Sequence, residues 1–111
     1  MIKALVDLGL PIVDAEVYVY LTKNGPLGVM DIAEKLKLNK KQLEFSIQNL
    51  QEKAMIKAKN KLSVEFNAIS YEEALNLLIG IRKKQTEALN EMRKKVLSSW
   101  KELKKKPQEN S

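Results

Sequence analysis

The stretch VMDIAEKLKLNKKQLEFSIQNLQEKAMIKAKNK, residues 29–61, decides the fold of this 111-residue chain. Val29, Ile32, Ala33 and Leu36 recur at i, i+3, i+4 and i+7, which predicts a helix over about residues 29–38. Asn39 then offers an N-cap to a second helix over about 40–53, with an inward stripe of Leu43, Ile47 and Leu50. Its opposite face carries Lys41, Glu44, Phe45, Gln48 and Glu52. After Lys53 the period falls to two. Ile56 and Ala58 alternate with lysines, and Val64, Phe66 and Ala68 alternate with polar residues. Asn60-Lys61 between the two runs suits a two-residue hairpin turn, because asparagine tolerates positive φ.

Upstream, residues 2–9 read as a short helix ending at Gly9, and Pro11 opens a second helix reaching about Lys23. That helix is apolar almost all round, with only Asp14 and Glu16 charged in its interior, so it needs cover on more than one side. A partner chain or a returning terminal helix is the expected second cover. Asn24-Gly25-Pro26 ends it. Downstream, Ser70 is a natural N-cap for a long helix over Tyr71–Lys106, and Glu73 completes a capping box.

Composition narrows the function. With no cysteine and no histidine, zinc fingers, thiolate nucleophiles, disulfides and serine–histidine catalysis are excluded. Neither Gly25 nor Gly28 leads into a phosphate loop, and the carboxylates are scattered singly, so no enzyme, metal or cofactor is expected. No apolar run is long enough for a membrane span. The net charge of +6 is uneven: the window 35–61 holds eight lysines against Glu44 and Glu52 alone, which suits a polyanion.

Helix, turn, helix and ribbon in that order make a winged helix-turn-helix, mainly α with a small β-hairpin. The second helix of the pair fits the major groove. The candidate DNA contacts are Asn39, Lys40 and Lys41 for phosphates and Gln42 and Gln48 for base edges, with glutamine bidentate to adenine. Phe45 suits a thymine methyl, and Lys57, Lys59 and Lys61 lie on or beside the wing.

The segments GL at 9–10, AEVYVYL at 15–21, NGPLG at 24–28, DIAEKLKLNKKQL at 31–43, NLQEKAMI at 49–56 and AISYEEAL at 68–75 resemble, in order and spacing, the DNA-binding domain of the TrmB family of mainly archaeal transcription regulators. The resemblance implies a winged helix that binds operator DNA, with Lys40, Lys41 and Gln42 opening the reading helix. Lys37 and Ala54 stand where the family often has glycine, and the aromatic–acidic pair of the reading helix is reversed as Glu44-Phe45. The wing tip is short and lacks arginine. No counterpart of the family's sugar-binding effector domain is recognisable, so no small-molecule ligand is expected.

In the terminal helix a heptad places Leu75, Arg82, Leu89, Val96 and Leu103 at a and Leu78, Gln85, Met92 and Ser99 at d, broadened by Ile79, Leu97 and Trp100. The expected dimer interface is Leu75, Leu78, Ile79, Arg82, Gln85, Leu89, Met92, Val96, Trp100 and Leu103. The alternative, folding back on its own domain, is disfavoured because such a helix spans roughly 50 Å. The expected organisation is a winged-helix domain at 1–69, a coiled-coil dimerisation helix at 70–106 ended by Pro107, and a disordered tail at 107–111. The expected function is a homodimeric, double-stranded-DNA-binding transcriptional regulator, cytoplasmic and nucleoid-associated. A weakly specific architectural chromatin protein and a protein-interaction adaptor on the same scaffold are the alternatives.

Overall fold

Helix α1 (Ile2–Asp7) leads into α2 (Ile12–Asn24), followed by the two-residue strand β1 (Leu27–Gly28), α3 (Val29–Leu36) and α4 (Lys40–Glu52). Strands β2 (Ile56–Ala58) and β3 (Glu65–Ala68) precede the long helix α5 (Tyr71–Glu109). This computed structural model describes residues 1–60 and 65–109. Two compact units result, Met1–Ile79 and Gly80–Ser111.

In the first unit α2 is the central element, packed against α1, α3, α4 and β3. Val17, Tyr18 and Leu21 of α2 are buried, as are Leu5, Ile32, Leu43 and Leu50 of the helices packed against it. The domain's own elements thus bury Ala15, Val17, Tyr18, Val19 and Leu21 of α2, while Ile12 at its start stays exposed. Tyr18 anchors this packing. Its buried hydroxyl donates to the Ile69 carbonyl at 2.7 Å, joining the centre of α2 to the segment that enters α5. Burial pushes the Tyr18 phenol above its ordinary value, a bond with Thr22 opposes this, and Tyr71 and Glu73 add to the rise.

Helices α1, α3 and α4 stop alike. A residue one or two positions past each end turns left-handed (Gly9, φ 105°; Lys37, φ 55°; Ala54, φ 62°). The following N–H then reaches back five residues, from Leu10 to Leu5, Leu38 to Ala33 and Met55 to Leu50, each near 3 Å. The same step seats Leu10 and Met55 in the core beside the helices they terminate.

The sheet is antiparallel in the order β1-β3-β2, so the expected hairpin gains a third strand. Phe66 lies between Leu27 and Ala58. The hairpin connection is also corrected. Ala58 pairs with Phe66, and the Lys59 N–H donates to the Glu65 carbonyl at 2.9 Å. This register does not fit a two-residue Asn60-Lys61 turn, which would set Lys59 opposite Leu62. Cross-strand register outweighs the local turn signal. Lys61 and Val64 lie outside the described residues.

The first unit extends to Ile79 instead of stopping at residue 69, because Ala74 and Leu78 are buried in its core. Leu78 is thereby withdrawn from the expected dimer seam, and Leu75 is half-buried. The Ser70 hydroxyl caps α5 as expected, accepting from the Glu73 N–H at 3.1 Å. Helix α5 continues through Pro107 to Glu109, so the expected stop at Lys106 is also corrected. Of the expected tail, Asn110 and Ser111 lie outside the described residues.

Candidate nucleic-acid interface

The N-terminal end of α4 is built by its cap. The Asn39 side chain accepts from the Gln42 N–H at 2.8 Å, and the Gln42 Oε1 accepts from the Asn39 N–H at 3.1 Å. This closed box holds the first turn with its unpaired amides and dipole facing outward, and Lys40 and Lys41 are exposed upon it. The box occupies one of the two lone pairs on the Gln42 oxygen and leaves its amide nitrogen to donate.

Leu43, Ser46, Ile47 and Leu50 are the buried side of α4. At 100° per residue, Lys41, Phe45, Gln48 and Glu52 fall opposite them, with Glu44 alongside. Phe45 is 68% exposed, an unusual position for a large aromatic ring. Lys40 Nζ approaches Glu44 Oε1 at 3.9 Å and Gln48 Nε2 approaches Glu52 Oε1 at 3.4 Å, both on the surface. Exposed pairs of this kind bind weakly and yield readily to a phosphate or base.

On the wing, Lys57 is exposed on β2, while Lys59 pairs across the ladder with Glu65 Oε1 at 3.4 Å. Lys61 lies outside the described residues. Asp14 and Asn49 escaped the sequence reading. Asp14, 2% exposed in the first turn of α2, accepts from Asn49 Nδ2 of α4 at 3.4 Å. The only local signal was a carboxylate near a helix N-terminus, since the two residues stand 35 positions apart. Among the described residues no carboxylate cluster is arranged to hold a metal ion, and no helix is long and apolar enough to cross a membrane.

The second unit is a single helical arm. Leu89, Met92, Val96, Trp100 and Leu103 each stand more than half exposed along it, and Lys104 Nζ lies 4.9 Å from the centre of the Trp100 ring.

The model of the family described as "Sugar-specific transcriptional regulator TrmB" matches residues 5–72, which is the helix-turn-helix, the sheet and the start of α5. The chain belongs to the TrmB family. An uncharacterised protein of Methanocaldococcus jannaschii, MJ1503, is similar to this TrmB-family chain at 30% identity, over 79% of the chain and 69% of the relative. Among solved structures, a protein of Methanosarcina mazei Go1 described as a possible transcriptional regulator is similar with a TM-score of 0.61 and 16% identity. That match covers 84% of this chain and 86% of the other. The multiple antibiotic-resistance repressor MarR of Listeria monocytogenes is similar with a TM-score of 0.58 and 16% identity, covering 90% and 81%. At that identity the two structures share the winged-helix fold. Fold and family are those of DNA-binding transcriptional regulators.

Proposed function

We propose that this TrmB-family chain is a homodimer that occupies double-stranded promoter DNA by laying α4 in the major groove, with no catalytic role. The observation that carries the reading is the exposed first turn of α4. Asn39 and Gln42 satisfy each other there, Lys40 and Lys41 project from it, and Phe45 and Gln48 follow on the same outward side. Lysines at a helix N-terminus engage phosphates, and residues one and two turns on reach base edges. Lys57 and Lys59 of the wing contact the flanking backbone in this reading.

The exposed stripe from Leu89 to Leu103 supports the dimer. A lone helix in water gains nothing from holding five large apolar groups on one side, whereas a second copy buries them in a seam. Two α4 helices related by a two-fold axis then match half-sites about one DNA turn apart. The regulator would act in the cytoplasm, on nucleoid DNA.

The test is the salt dependence of DNA affinity for the wild type and for a Lys40→Ala/Lys41→Ala double variant. Release of counterions predicts a slope shallower by about 2 for each bound protomer that loses both lysines. An unchanged slope refutes the placement of α4. Exposed Phe45 next to Glu44 favours a second reading, in which this face docks another protein. A wild type that binds no duplex even at low salt selects it.

A further inference from the structure

Beside the outward face of α4 lies a hollow of about 210 Å³, walled by Pro11 and Val13 from the start of α2 and by Phe45, with Gln42, Asn49 and Asp14 completing it. Its lining is mostly carbon. Several of the polar groups around it are already engaged: Asn49 Nδ2 donates to Asp14 Oδ2 at 3.4 Å, and Gln42 Oε1 accepts from the Asn39 N–H at 3.1 Å. The Asp14 carboxylate, 2% exposed, opposes entry of a phosphate, because like charges repel strongly where water is scarce. The hollow thus favours a small apolar group, yet it sits within a turn or so of Lys40 and Lys41, which favour a polyanion. One polyanion meets both demands. On the floor of the major groove, only thymine among the four bases carries an apolar substituent, its 5-methyl.

We propose that this hollow seats the 5-methyl group of a thymine, so that Phe45, with Pro11 and Val13, sets a preference for a T·A pair beneath α4. The inference rests on the major-groove reading above and names a base which that reading leaves open. Gln42 on the rim is compatible with it, since its remaining amide nitrogen donates and thymine O4, next to the methyl, accepts.

The test uses the full chain and two probes, an alternating A·T duplex and the same duplex with uracil in place of thymine, which removes only the methyl groups. Burial of one methyl is worth about fourfold in affinity (about 0.8 kcal/mol at 1.4 kcal/mol per decade). The wild type should bind the thymine duplex about fourfold more tightly per occupied hollow. Phe45→Ala, whose exposed ring lets the fold persist, should bring the ratio near one, and Phe45→Leu should restore part of it. Equal wild-type affinity for the two duplexes overturns the inference and leaves DNA binding standing. A ratio that survives Phe45→Ala overturns the assignment to this hollow. Failure of the wild type to bind either duplex at low salt overturns the DNA reading and the inference with it. If Phe45→Ala instead changes the oligomeric state in light scattering, the hollow is a protein contact and the inference is overturned.

Discussion

Replacing Ala54 by glycine is expected to stabilise the folded unit, against the usual direction of an alanine-to-glycine change. Ala54 follows α4 at φ 62°, where its N–H bonds the Gln51 carbonyl and the next N–H bonds that of Leu50. Left-handed backbone is disfavoured by about 1–2 kcal/mol for a residue with a Cβ, which crowds the carbonyl oxygen. Glycine removes that crowding but frees the unfolded chain by roughly 0.4–1 kcal/mol. Ala54 is exposed, so its methyl takes little apolar contact away with it. The net expectation is a gain of about 0.5–1 kcal/mol, or about 3–6 °C in Tm for a unit of this size. Lys37, exposed at φ 55° and ψ 44°, should respond in the same direction. Lys53 is the internal control: at φ −83° it sits in ordinary right-handed backbone, and glycine there should cost about 0.5–1 kcal/mol. Urea unfolding followed by far-ultraviolet circular dichroism, at one protein concentration, reads all three. Trp100 stands in the arm, so its fluorescence is the wrong probe for this unit. If Ala54→Gly shifts the midpoint downward as Lys53→Gly does, the strain argument is refuted.

Three further outcomes are expected. Tyr18→Phe strands the Ile69 carbonyl and should cost about 1–2 kcal/mol in the same assay. Because burial keeps the Tyr18 phenol protonated above its ordinary value of 10.0, the unfolded chain loses that proton first. The advantage of Tyr18 over phenylalanine is then full below about pH 10 and should shrink as pH climbs through the higher folded value. Ser46, 1% exposed, has no hydrogen-bond partner for its hydroxyl among the described residues, so Ser46→Ala should stabilise by about 1 kcal/mol, and a loss of stability would mean that a bond is formed there. Val96→Glu, in the exposed stripe of the arm, should turn a dimer into a monomer in light scattering at micromolar concentration while circular dichroism of the first unit holds; a wild type that is itself monomeric ends the seam argument.

The helix-turn-helix was legible because its information is local. Val29, Ile32, Ala33 and Leu36 mark one face, and the cap of α4 lies within the four residues Asn39–Gln42. Phe45 stood out for the same reason, since its angle from Leu43, Ile47 and Leu50 needs only the helical repeat. What went unread depends on residues brought together by the fold. β1 is two residues long and exists only because Phe66 and Glu65 arrive beside it. The far wall of the hollow, Pro11 and Val13, comes from another helix, as does Asp14 opposite Asn49. The heptad placed Leu78 in a seam because periodicity cannot say where a core ends, and burial by the chain's own first unit decides otherwise.

The position of β2 at the outside of the sheet has a consequence of another kind. A strand on the rim offers its free backbone groups to any extended chain, and a second copy of the same sheet is the nearest candidate in a crowded cell. A lysine at the middle of that strand, Lys57, makes such stacking electrostatically unfavourable, as does its shortness. If Lys57 also meets the DNA backbone, as proposed above, it answers two demands that a binding assay alone would merge. Neutralising it should promote aggregation as well as weaken DNA binding, whereas Lys57→Glu should keep the protein dispersed and still lose the DNA.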